Sequence, residues 1–119
     1  MSIPKINNCD AAEYVDGLRL FNGANTFSEN HIHLYIVYSY GYHFPMYIYD
    51  RNATMWFGNK DKYSVTTSKH QSQARPTQPV ETWLDTNDMK LLVRQGSMVD
   101  FLFSKAKIVE AYRQEVVGS

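Results

Sequence analysis

The sequence predicts an α+β domain, a small antiparallel sheet of three or more strands packed by a C-terminal helix. Residues 31–50, HIHLYIVYSYGYHFPMYIYD, are dominated by β-branched and aromatic side chains, which suit a pleated surface. Residues 97–116 repeat apolar side chains at three- and four-residue intervals, the period of a helix with one apolar face. Strands cluster early and helices late, which argues for α+β layers and against a parallel βαβ sheet. At 119 residues and 44% hydrophobic content, the chain suffices for one domain, 1–119, without disulfides.

Asp10 followed by Glu13 fits a capping box for a short helix over about residues 11–19. Gly23 and its neighbouring asparagines then break the pattern. Over 31–40 the alternation puts Ile32, Leu34, Ile36, Tyr38 and Tyr40 on one face of a strand. His31, His33, Tyr35, Val37 and Ser39 fall on the other. Gly41 to Pro45 marks a turn, Met46 to Asp50 a second strand and Thr54 to Phe57 a third, giving an antiparallel meander. Downstream, Asp85 or Thr86 caps a helix through Met89, Leu91, Leu92 and Val93 that stops at Gly96. Ser97 with Asp100 opens a last helix whose apolar side, Val99, Leu102, Phe103, Ala106, Val109, Tyr112 and Val116, is expected against the sheet.

Twelve basic residues balance twelve acidic ones, which excludes a simple polycationic nucleic-acid binder and an acidic mimic of DNA. The charge is nevertheless uneven. Arg51, Lys60, Lys62, Lys69 and Arg75 face one acid, Asp61, within residues 51–75, and Glu81, Asp85 and Asp88 follow. The single cysteine, Cys9, cannot close an internal disulfide and points to a reducing compartment. The N-terminal stretch lacks an apolar signal core and no run is long enough to cross a bilayer, so the expected location is the cytoplasm.

Catalytic patterns are incomplete. His31 and His33 have a spacing that could supply two metal ligands from a strand, yet a structural zinc site needs four, so no metal is expected. His70-Gln71-Ser72 matches one half of the paired His-x-Ser/Thr element of two-histidine phosphoesterases, and no second copy is present. Asp88-Met89-Lys90 resembles half of a metal-dependent nuclease site but falls in a helical segment, where it reads as a surface pair. Ser68 or Ser72 beside His70 lacks a nucleophile elbow, and there is no P-loop or dinucleotide fingerprint, so no cofactor is expected.

KYSVTTSKHQSQARP, residues 62–76, has another character: hydroxyls, amides and cations with hardly an apolar side chain. These groups contact phosphate oxygens and sugars. Read as a surface loop from Asn59 to Arg75, it offers Lys62, Lys69, His70 and Arg75 as charge partners and Thr67, Ser68, Gln71 and Gln73 as hydrogen-bonding groups. Thr67 or Ser68 could cap a short helix aimed at an anion, and Tyr40 or Trp56 could stack on an unpaired base. The expected ligand is nucleic acid or another phosphate-bearing molecule. The alternatives are a protein partner anchored by Tyr, Trp and Arg, and a phosphoesterase or nuclease centred on His70 with His31, His33 or His43. An exposed hairpin edge leaves self-pairing into an oligomer open.

Tyr38-Ser39-Tyr40-Gly41, Pro45, Trp56, Asn59, Lys62-Tyr63-Ser64 and Thr66 through Gln73 form a pattern that resembles a family of small proteins encoded by tailed phages, prophages and plasmids. The resemblance covers about a third of the chain, in its middle. No catalytic residue is assigned in that family, so none is carried over. What the resemblance implies is a setting in host takeover or anti-defence, by binding a protein complex, a nucleic acid or a signalling nucleotide.

Overall fold

A computed structural model describes residues 3–61 and 65–117, with the side chains of 65–67 and 108–117 left aside. The chain runs through a 3₁₀ turn, Asn8–Asp10, into α1 (Ala11–Asp16). Four strands follow, β1 (Thr26–His31), β2 (Leu34–Ser39), β3 (Pro45–Asp50) and β4 (Met55–Asn59). Next come α2 (Val65–Gln73), β5 (Val80–Leu84), α3 (Thr86–Gln95) and α4 (Met98–Val117). The strands form one five-stranded sheet in sequence order, β1-β2-β3-β4-β5.

The first four strands are an antiparallel meander, whereas β5 lies parallel to β4, from Trp56↔Val80 to Asn59↔Leu84. This pairing corrects the expectation against a βαβ unit. The chain crosses over through α2, a helix disguised in sequence because it has almost no apolar stripe. No Gly or Pro interrupts Val65–Gln73, and Pro76 follows soon after its end.

The tyrosine-rich stretch turns between Ser39 and Pro45 as expected and divides once more before that. β1 ends at His31 and β2 begins at Leu34, with Ile32 and His33 as the hairpin tip. Within β2, the period of two holds. Leu34, Ile36 and Tyr38 join Ile48, Phe57, Met89, Leu92 and Phe101 in one core. Tyr35 and Val37 join Tyr47, Trp56, Ala11, Val15, Phe21 and Ala74 in the other. Every residue of β2 is buried, as a strand covered on both faces requires.

The helix ends follow local chemistry with one exception. Asp85 caps α3, its carboxylate accepting from the Asp88 amide at 2.8 Å, and Gly96 ends that helix in the left-handed region at φ 82°. The positive φ is what calls for glycine there, since the atom a Cβ would meet at 2.5 Å is Cδ1 of the exposed Ile32 side chain. Ser97 and Asp100 form the expected reciprocal pair at α4. Asp10 makes no capping bond, because the 3₁₀ turn before it already holds it at helical φ and ψ, and α1 ends at Asp16.

The C-terminal helices pack on the sheet, α3 through Met89 and Leu92 and α4 through Phe101. The expected apolar side of α4 does not lie on the sheet along its described part. Val99, Leu102 and Phe103 are exposed, because the helix turns Met98 and Phe101 toward the core instead; Asp50 Oδ2 accepts from the Met98 amide at 2.7 Å, and Lys105 pairs with Asp88 of α3 at 3.1 Å. Val109, Tyr112 and Val116 lie outside the described side chains.

A buried polar knot at the end of β4 fixes α2. Asn59, fully buried, donates through Nδ2 to the Pro45 carbonyl at 2.9 Å and to Thr86 Oγ1 at 3.1 Å. Its Oδ1 accepts from the Asp61 amide, and its carbonyl accepts from Gln71 Nε2 at 2.8 Å. Asp61 Oδ2 accepts from the amide and hydroxyl of Thr86, both at 2.8 Å. One residue thus ties β3, β4, α2 and α3 together. Asn59→Ala would strand several buried partners at once and is expected to lower stability by about 2–4 kcal/mol in urea denaturation. The exposed control Asn52→Ala should stay within about 0.5 kcal/mol of wild type.

Candidate functional site

The residues singled out in sequence gather around α2, which occupies the segment read as a loop. Lys62 lies outside the described residues, and Thr67 lies inside α2 with its side chain outside them. Because α2 starts at Val65, neither Thr67 nor Ser68 sits at its cap.

A helix sorts its residues by angle, and α2 sorts this strip into an inner and an outer set. His70 and Gln71 turn inward. His70 Nδ1 lies 2.8 Å from Ser39 Oγ, with the two residues 3% and 2% exposed. Gln71 donates to the Asn59 carbonyl at 2.8 Å and more weakly to that of Asp61 at 3.4 Å. Two facing carbonyls require an N–H donor, so the amide orientation is fixed and Oε1 points away from them, buried and without a partner among the described residues. Gln73 Oε1 is likewise buried and, among the described residues, without a partner. The Gln71 carbonyl accepts from Tyr47 Oη at 2.7 Å. Burial pushes the Tyr47 phenol up to about 12, partly offset by the Arg75 charge, which keeps it a donor.

His70 meets a serine of β2, Ser39, and not Ser68 or Ser72, its neighbours in sequence. Both groups are sealed from solvent, so the pair ties α2 to the sheet and exposes no nucleophile. His31, His33 and His43 are exposed at hairpin turns. Among the described residues, no three His, Cys, Asp or Glu side chains gather where they could hold a metal ion.

The outer set is Ser68, Lys69 and Ser72, followed by Arg75 just beyond the helix. Lys69, Ser72 and Arg75 are exposed, and among the described residues neither cation makes an ion pair. The basic cluster counted in sequence is not wholly on this side. Arg51 lies at the far end of β3, where it donates to Asn30 Oδ1 at 2.7 Å.

The aromatic platforms are reassigned. Trp56 is 3% exposed, donates to Gln78 Oε1 at 3.2 Å and packs between Tyr35 and Tyr49, so it offers no face to a ligand. Trp83, which the sequence reading passed over because its strand is short and polar, is 42% exposed on the edge strand β5. Its ring lies over Gly58, where a Cβ would come within 2.6 Å of Cζ3, and the Arg75 guanidinium is 5.9 Å from its centre. Tyr47, Ser68, Gln71, Ser72, Arg75 and Trp83 enclose a cleft of about 120 Å³ between α2 and the sheet.

Tyr40 remains available, at 60% exposure. Its left-handed φ of 61° turns it out of the strand register, and its ring lies 5.1 Å from that of His70. It also lines a groove of about 570 Å³ with Lys5, Asn22, Asn25 and Phe27.

No helix among the described residues is long and apolar enough to cross a membrane. Searches against protein-family models, curated proteins and solved structures find no match.

Burial holds the His70 imidazole below its ordinary pKa, with the Lys69 charge adding to the effect. The unfolded chain therefore binds a proton more readily than the native one, so stability is expected to fall as pH drops below about 6.5 and to level off beneath the native pKa. Thermal melts between pH 8 and pH 5 should show this decline, and His70→Gln should flatten it.

Proposed function

We propose that the protein binds nucleic acid or another phosphate-bearing ligand, without chemical turnover, through the outer face of α2, Arg75 and Trp83. The observation that carries this reading is an exposed cation, Arg75, and two hydroxyls, Ser68 and Ser72, beside an accessible indole, with a second exposed cation, Lys69, on the same helix. Cations and hydroxyls satisfy phosphate oxygens, and an indole face adds stacking energy that does not depend on charge. With a formal net charge of zero, attraction to a polyanion has to come from this local surface. Read with the family resemblance, the contact serves a mobile element in the host cytoplasm, in host takeover or anti-defence.

A second reading, a protein–protein inhibitor of a host or defence complex, is favoured by a different observation. Val99, Leu102 and Phe103 are all more than half exposed along α4, more apolar surface on one helix than solvent exposure rewards. Salt separates the two readings, since phosphate contacts weaken steeply with ionic strength and an aromatic-centred interface much less.

Lys69→Glu with Arg75→Glu is expected to weaken binding to a labelled oligonucleotide by about tenfold or more near 100 mM salt and to reduce the slope of log K against log salt by about 2. Fluorescence anisotropy across a salt series measures both. Unchanged affinity in a double variant that still melts cooperatively would overturn the reading.

A further inference from the structure

We propose that the cleft between α2 and Trp83 receives one unpaired base of a single-stranded nucleic acid. The inference rests on the reading above and adds what the cleft selects.

Three features point to a base. The volume of about 120 Å³ suits one flat ring system with no long substituent inside the walls. One wall is Trp83, 42% exposed, with the Arg75 guanidinium 5.9 Å from its ring centre. A phosphate alone gains nothing from that indole, whereas a stacked base does. The opposite wall is polar. Ser68 and Ser72 can each donate or accept, which tolerates any base edge. Gln71 completes it as a third polar side chain.

The edge position of β5 leaves Trp83 reachable from outside the sheet, and Arg75, which lines the cleft, is placed for a phosphate beside the inserted base. A paired base cannot enter without leaving its stack, so the geometry discriminates against duplex.

The test compares three labelled probes of equal length, about ten nucleotides: oligothymidine, an abasic deoxyribose-phosphate oligomer and a duplex. Oligothymidine is expected to bind about tenfold tighter than either of the others and to quench tryptophan fluorescence, with the buried Trp56 as a spectator. Trp83→Leu should bring oligothymidine down to the abasic level and remove the quench while leaving the salt slope unchanged. Trp83→Phe, which keeps a ring over Gly58, should retain most of the preference. Equal affinity for oligothymidine and the abasic oligomer in wild type would overturn base insertion and leave phosphate contact standing. So would full affinity in a folded Trp83→Leu variant. Binding to none of the three probes would overturn both.

Discussion

The hydrogen bonds of Asn59 are the constraint on which the rest of the structure depends. Most helices that cross over a sheet are held by an apolar stripe, whereas among the described side chains of α2 none is apolar, and Ala74, just past its end, joins the buried core on that side. What fixes it is polar: Gln71 on the Asn59 carbonyl, Tyr47 on the Gln71 carbonyl and His70 on Ser39. Buried bonds of this kind add little net energy when made and cost much when broken, so they define one geometry more than they raise overall stability. The same knot reaches α3 through Thr86 and Asp61, which couples the floor of the proposed site to the helix that fills the other core.

Holding a helix by a few bonds has a consequence for its surface. Because α2 does not need apolar residues, the sequence is free to present hydroxyls and cations outward, and the gap beneath it stays polar. The cleft beside Trp83 and the buried Oε1 atoms of Gln71 and Gln73, without partners among the described residues, are what such loose polar packing leaves behind. Rigid strands surround that gap: β3 and β4 are buried nearly throughout, and Gly58 lets Trp83 lie directly on the sheet. A flexible ligand chain would thus meet a surface already formed, which lowers the ordering cost of binding.

The alternation of β2, the two central strands, the Asp85 cap, the Gly96 stop and the Ser97–Asp100 pair were legible in the letters, because each depends on neighbours a few residues away. The parallel strand β5 was not. Its alternation is masked by Glu81 and Thr82, and its crossover helix carries no periodic apolar signal. The strip around His70 was marked as unusual but misread as uniformly outward, since α2 buries His70 and Gln71 while Lys69 and Ser72 stay exposed. Trp56, expected as a stacking platform, is buried for a related reason. Exposure of an indole is decided by which strand forms the edge, and that depends on the pairing of distant segments.

Hydrogen exchange on the free protein tests the central claim most directly, by following the side-chain amide protons of Gln71 and Asn59 in NMR spectra beside the backbone amides of β3 and β4. The account predicts that both side-chain amides exchange far more slowly than exposed ones and lose protection only with the sheet, since the same bonds hold α2 and define the cleft. Gln71 amide protons exchanging as freely as those of an unstructured peptide, while β3 stays protected, would contradict it.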